Sequence, residues 1–313
     1  MPILQWIKLS WTIRVLAAFA VLGAAVILWL VRTGGVGVPE RLACLADDET
    51  RGPHAGMVWV PGGTFEMGDA VYPEEGPLRT VTVEGFWMDR TEVTNAEFAE
   101  FVRATAYVTV AERNVDATAP PAAVFIMPSG NVDLNDIGSW WRYVRGANWK
   151  HPGGPDTSIE GREHMPAVAL TYEDAVAYAK WKGRDLPSEA QWEWAARGGK
   201  PNVNEHEQPK GANTWQGVFP VINAAEDGFA GLAPVGCFKP NDYGLYDMIG
   251  NVWELTAEPY DDQLPKARVI KGGSYLCARN YCLRYRAGAR QRQEEDLATS
   301  HVGLRTVLNE HGQ

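Results

Sequence analysis

KGGSYLCARNYCLRYR, residues Lys271–Arg286, carries two of the four cysteines of the chain, Cys277 and Cys282, among arginines. Five positions apart, their side chains share neither a helix face nor a strand face. They converge only if the backbone turns between them, and the loop that follows Gly272 and Gly273 permits that turn. A chain that makes use of this stretch is therefore built around turns. The composition agrees: 13 Trp, 32 Gly and 20 Pro in 313 residues describe a turn-rich fold pinned by aromatic anchors, with little long regular structure.

Three chemistries are open to the pair. A disulfide would close a short loop and restrict the unfolded chain only modestly. Half of a zinc site would need further ligands nearby, and the stretch has none. Two thiolates would suit a soft monovalent metal such as Cu(I), which accepts few ligands and prefers sulfur. Arg279, Arg284, Arg286 and Arg290 would keep the thiols deprotonated if they point inward.

The other two cysteines, Cys44 and Cys237, do not decide whether they are free or paired. There is no Cys-x-x-Cys and no His-x-x-x-His among the six histidines, so a zinc centre finds no ligand pattern. A net charge of −10 argues against a nucleic-acid partner, which would require a basic face.

At the N-terminus, Val15–Val31 is free of charge and flanked by Arg14 and Arg32. At the helical rise it would span roughly 25 Å, and no cleavage motif follows it closely. It predicts a single uncleaved transmembrane anchor after a short basic tail, residues 1–14. The tail favours an extracytoplasmic (periplasmic) domain. Residues 32–55 are Gly-rich and polar and read as a linker. Residues 56–309 read as one domain, with 310–313 as a tail. Strand-like alternation is expected in "MVWVPGGTFEMGD" and in "RTVTVEGFWMD". Helix starts are expected at Thr94 with Glu97, at Thr171, and at Ser188 with Gln191.

Taken in order, "VWVPGGTFEMG", "GFWMDRTEVTNAEF", "GANWKHPGGPD", "LPSEAQWEWAARGG", "NTWQGVFPVINAAEDGF", "NDYGLYDMIGNVWEL", "RVIKGGSYLCARNYCLRYR" and "HVGLR" resemble the formylglycine-generating enzymes, or sulfatase-modifying factors. The likeness spans nearly the whole domain. Several of these segments are shared with non-catalytic and sulfoxide-synthase relatives, whereas the block with Cys277 and Cys282 separates the oxidases. The resemblance implies an α+β fold: a single compact turn-rich domain of the formylglycine-generating, C-type-lectin-like kind, here preceded by a transmembrane helix.

It also implies a function. A cysteine in a Cys-x-Pro-x-Arg segment of a client sulfatase would be oxidised to Cα-formylglycine, with O2 and a thiol reductant. Cys277 and Cys282 match the Cu(I) ligands, and Ser274 matches a serine near the oxygen pocket. Trp253, Tyr281 and Arg290 match residues lining the pocket and peptide groove. His301 stands where some members have asparagine, which bears on client preference. Two Ca2+ sites are implied. One comprises Asn213 and Asp227 with the carbonyls of Thr214 and Phe229; the other comprises Asp247 and Glu254 with the carbonyls of Gly250 and Val252. Hard oxygen donors on irregular loops suit that ion. Two disulfides of some members are missing, because Ala179 with Thr306 and Ala196 with Ala287 occupy their places. That leaves no oxidative framework.

Two other functions compete with this one. A non-catalytic, membrane-tethered binding module would be expected to lack the two cysteines. A sulfoxide synthase would need an added helical domain with iron-binding histidines, for which the chain has no room.

Overall fold

The computed structural model describes residues 44–45, 52–113, 122–200, 206–261 and 263–309. These belong to one compact unit, Leu42–Gln313.

Strands β1 (Met57–Val60) and β2 (Gly63–Met67) are separated by the Pro61–Gly62 break. The second strand-like stretch divides into β3 (Arg79–Val83) and β4 (Phe86–Asp89). Glu84 and Gly85 separate the two, and a Cβ on Gly85 would stand 2.4 Å from the Trp59 ring of β1. The division lets β2 pair with β3 while β1 pairs with β4, both antiparallel.

Helix α1 (Asn95–Thr105) and the short α2 (Val110–Arg113) follow. Strands β5 (Ala122–Phe125) and β6 (Trp141–Tyr143) come next, then helices α3 (Tyr172–Trp181) and α4 (Glu189–Ala196). The three longer helices begin at the expected residues. Thr94, Thr171 and Ser188 each accept the N–H three residues on, and Glu97, Asp174 and Gln191 return the bond to the cap N–H. Phe98 and Phe101 of α1 pack on Tyr178 of α3, while Trp192 of α4 is fully buried in a second cluster with Phe86 and Met88.

After α4 the chain is loop-dominated. The hairpin β7 (Gly217–Val218) and β8 (Ile222–Asn223) leads to β9 (Trp253–Pro259), β10 (Ala267–Lys271), β11 (Arg290–Glu294), β12 (Ala298–Thr299), β13 (Val302–Gly303) and β14 (Val307–Asn309). The largest sheet has the order β11-β10-β9-β13. β14 returns to the edge of β4, and β12 lies beside β5. The stretch with the two cysteines is thus the connection from β10 to β11. Beyond β11, Ser300 N–H donates to the Ala123 carbonyl at 3.1 Å and ties the end of β12 to the β5–β6 ladder.

Two expectations are corrected. Among the described residues no helix is long and apolar enough to cross a membrane. The longest, α1, has 11 residues and is roughly 16 Å long, against about 20 apolar residues needed for a span. That overturns the architecture with a transmembrane helix, and the membrane-anchored extracytoplasmic placement that rested on it. The segment Val15–Val31 lies outside the described residues. The absence of an oxidative framework is also overturned. Cys44 and Cys237 form a disulfide, a pairing of positions 193 residues apart that no local spacing signals.

Candidate active site

The chain leaves β10 through Gly272 (φ +95°) and Gly273 (φ +74°). Any Cβ on Gly273 would stand 2.8 Å from the Arg284 carbonyl oxygen, so glycine there lets the outgoing and returning halves of the loop touch. The loop is then fixed by its own backbone. Cys277 N–H donates to Ser274 O at 2.9 Å, and Ala278 and Tyr281 exchange N–H to O bonds at 2.8 and 3.2 Å. Cys277 O accepts from Trp215 N at 3.0 Å, which ties the loop to the segment ahead of β7. Cys282 adopts the left-handed region (φ +59°), and this brings its side chain back to that of Cys277.

Neither cysteine is in a disulfide; Cys277 is buried and Cys282 half-buried. They line a cavity of about 340 Å³ together with Ser274, Trp253, Tyr281, His301, Tyr72, Trp141, Phe219, Leu276, Asn280, Arg284 and Gln291. The two sulfurs are electrically unlike. Burial pushes the Cys277 thiol up, and its donated hydrogen bond to Cys282 does so further. That same bond holds the Cys282 thiol below its usual value, against burial, with help from the charge of Arg284. Of the four arginines expected to act on the thiols, Arg284 is the one on the cavity wall. Arg286 is buried in ion pairs with Asp69 and Glu75.

The walls are aromatic and rigid. Tyr281 stacks on Phe219 at 4.6 Å with the planes 6° apart, and Trp140 meets both edge-on. Asn280 bonds both the N–H and the carbonyl of Phe219, at 3.1 Å each. His301 lies against Trp141, with Nδ1 3.1 Å from Thr299 Oγ1. Burial lowers its pKa to about 3, so the imidazole is neutral at ordinary pH. Ser274 is fully buried, and its hydroxyl accepts from Leu276 N–H at 3.2 Å.

Ser274, Cys277, Cys282, Trp253, Tyr281 and His301 therefore come together, whereas Arg290 does not reach the cavity. It stacks over Tyr260 and pairs with Glu189 at 3.0 Å. Sequence reading missed Tyr72, Trp141 and Phe219. Tyr72 lies 210 positions before Cys282, and nothing local in its "VYPEEG" context points to a cavity. Phe219 lies within "NTWQGVFPVINAAEDGF", between the implied calcium ligands Thr214 and Asp227, and nothing local marks it as a cavity residue.

Two uncharged or negative soft ligands in contact on a cavity wall fit the Cu(I) donor set that the resemblance implies. For the first implied calcium site, Asn213 Oδ1 is buried without a hydrogen-bond partner, as an oxygen meant for a cation would be. Asp227 is close by, accepting from Thr214 N, Phe229 N and Gln216 Nε2 at 3.2, 2.9 and 2.7 Å. The second set fits less well. Glu254 takes Arg305 on both oxygens and Trp192 Nε1 on one, each at 2.7 Å, and Asp247 accepts from Gly236 N. Among the described residues no three His, Cys, Asp or Glu side chains form a metal cage, so any calcium at the first site would join amide and carbonyl oxygens to the Asp227 carboxylate.

The sequence profile of the sulfatase-modifying factor enzyme 1-like domain matches residues 43–310. The chain belongs to this family. It is 47% identical to a formylglycine-generating enzyme of Mycobacterium tuberculosis over 81% of this chain and 97% of that protein. It is 41% identical to a mouse protein named inactive C-alpha-formylglycine-generating enzyme 2, over 80% of this chain and 84% of that one. The solved structure of PvdO from Pseudomonas aeruginosa superposes with a TM-score of 0.57 at 24% identity, covering 84% of this chain and 98% of that one. That likeness speaks for the fold alone.

Proposed function

We propose that this chain is a formylglycine-generating oxidase: it converts a cysteine in a Cys-x-Pro-x-Arg segment of a client sulfatase to Cα-formylglycine, using O2 and a thiol reductant. One observation carries the reading: two unbridged cysteines meet on the wall of a cavity large enough for a side chain and its neighbours. The non-catalytic alternative would expect those cysteines to be missing, and both are present.

The reaction balances in atoms and electrons. The client –CH2–SH and O2, with two hydrogens from two reductant thiols, give –CHO, hydrogen sulfide, water and one disulfide. The final carbon–sulfur cleavage is hydrolysis of a thioaldehyde. Cys277 and Cys282 would hold Cu(I), which when bound supplies a soft site for the client sulfur and for O2. The chain's own residues do the rest. The Tyr281–Phe219 stack and Trp253 shape an apolar wall that limits stray water near the thiols. Neutral His301 offers the cavity a hydrogen bond without a charge. Ser274, held by its bond to Leu276, gives the cavity one fixed hydroxyl to orient a small polar ligand. Calcium at Asn213, Thr214, Asp227 and Phe229 would stiffen the loops around β7.

The test is direct. A Cys-x-Pro-x-Arg peptide incubated with Cu(I)-loaded protein, O2 and a thiol should lose its thiol and gain an aldehyde, read by mass and by hydrazide capture. A serine in place of the peptide's cysteine should block the reaction, and so should removal of O2. Cu(I)-loaded protein that leaves every such peptide unmodified would overturn the reading in favour of a binding module.

A further inference from the structure

Cys282 is a non-glycine residue held at φ +59°, a conformation that is unfavourable for an L-residue and persists only where neighbours enforce it. On its N-terminal side the enforcing contact is the Ala278–Tyr281 pair of hydrogen bonds. On its C-terminal side the next peptide N–H, that of Leu283, donates to Tyr72 Oη at 3.4 Å. The direction of that N–H is set by ψ of Cys282. The Tyr72 hydroxyl therefore anchors the peptide that follows Cys282, and with the Ala278–Tyr281 bonds ahead of it this pins the Cα of Cys282 from both sides and so fixes the direction in which its side chain leaves the backbone.

Tyr72 is itself held firmly. Its ring carries the Arg284 guanidinium at 4.0 Å, and Arg284 pairs with Glu74 at 2.5 Å. The same strap, residues 69–76, is anchored by Arg286, which pairs with Asp69 and, at 2.6 Å, with Glu75. It closes on itself through Tyr72 N–H to Glu75 Oε2 at 3.2 Å and Asp69 N–H to Glu75 O at 3.2 Å. Two arginines just past Cys282 are thus clamped by three acids and one ring from a segment far earlier in the chain. The clamp lies at the edge of the cavity, which Tyr72 and Arg284 both line.

We propose that Tyr72 is a positioning residue for the thiol pair: its hydroxyl orients the Cys282–Leu283 peptide and so holds Cys282 facing Cys277. The proposal rests on the reading of the pair as the reactive centre, but its first readout does not involve copper. Tyr72→Phe removes the acceptor and keeps the ring under Arg284; Tyr72→Ala removes both.

In the full chain, closure of the Cys277–Cys282 disulfide by diamide, which takes two electrons and two protons from the thiols and becomes a hydrazine, is followed by quenching and mass spectrometry. In parallel, Cu(I) affinity is measured anaerobically by competition with a chromophoric chelator. Tyr72→Phe should slow closure and weaken Cu(I) binding by roughly fivefold, the factor carried by one hydrogen bond of about 1 kcal/mol. Its melting temperature should scarcely move, and Tyr72→Ala should go further in the same direction. Wild-type closure rates in Tyr72→Phe would overturn the proposal, as would a fall in melting temperature with closure unchanged. Slowed closure in a protein whose wild type takes up no Cu(I) would uphold the role of Tyr72 while removing the copper reading.

Discussion

Cys277 and Glu254 are both buried and lie close to the same sheet, yet their functional groups are spent differently. Glu254 directs both oxygens to Arg305 and adds the Trp192 indole, so its charge is matched within the core. The thiols of Cys277 and Cys282 have each other and the nearby Arg284, and they open on a cavity. Saturated groups hold a fold together, whereas groups with unspent valence beside a void are available for chemistry. The fully buried Lys271, paired with Glu193 at 2.9 Å, sides with Glu254. It sits immediately before the glycines of the thiol loop and braces the root from which that loop departs.

The contrast is sharpest for the thiols. Cys277→Ser or Cys282→Ser should reduce peptide oxidation roughly a thousandfold or more, the scale of removing one member of a unit that acts together. The fold, read by circular dichroism, should remain. Appreciable turnover by either variant without copper would erase the distinction between the two regions.

Arg305→Met should do the reverse. It leaves Glu254 buried without its partner, which costs about 3–5 kcal/mol, a large part of typical domain stability. Denaturant unfolding should show that loss. If the variant is as stable as the wild type, the acidic core is not the saturated network described.

Calcium removal comes next. An ion bound at Asn213 and Asp227 at a hundred times its dissociation constant stabilises by about 2.7 kcal/mol, so chelation should lower the melting temperature by several degrees. Asn213→Ala should make the protein insensitive to chelator. A melting curve unmoved by chelator, with no calcium by elemental analysis, would leave the Asn213 oxygen without that role.

The effect that vanishes at neutral pH concerns His301. Its folded pKa is depressed to about 3, from an ordinary value of 6.5, so the unfolded chain takes up a proton that the folded one refuses. The resulting stability is present above about pH 6.5 and is lost as pH falls toward 3. His301→Asn should flatten the decline in melting temperature over that window. An unchanged profile would mean that other groups set the acid sensitivity.

Much of this protein was legible without coordinates. The helix starts at Thr94, Thr171 and Ser188 are local, since a cap and its partner lie three residues apart and need nothing else. The need for a turn between Cys277 and Cys282 followed from periodicity, whereas the turn itself is made by the Ala278–Tyr281 bonds and by Cys282 at positive φ, with Gly272 and Gly273 only letting the loop leave β10. What the chain's order could not show was which distant segments close around that turn. Tyr72 and Phe219 reach the cavity only because the strap before β3 and the β7–β8 hairpin fold onto the β10–β11 connection. Arg290 is drawn away from it by Glu189 and Tyr260. The Cys44–Cys237 disulfide and the commitment of Glu254 to Arg305 were equally hidden, because the partners are 193 and 51 positions apart. Residue type and short spacing determined which groups could do chemistry. Tertiary packing decided which were consumed as structure, because a buried polar group must find a partner and only the folded chain determines who is near enough to be one.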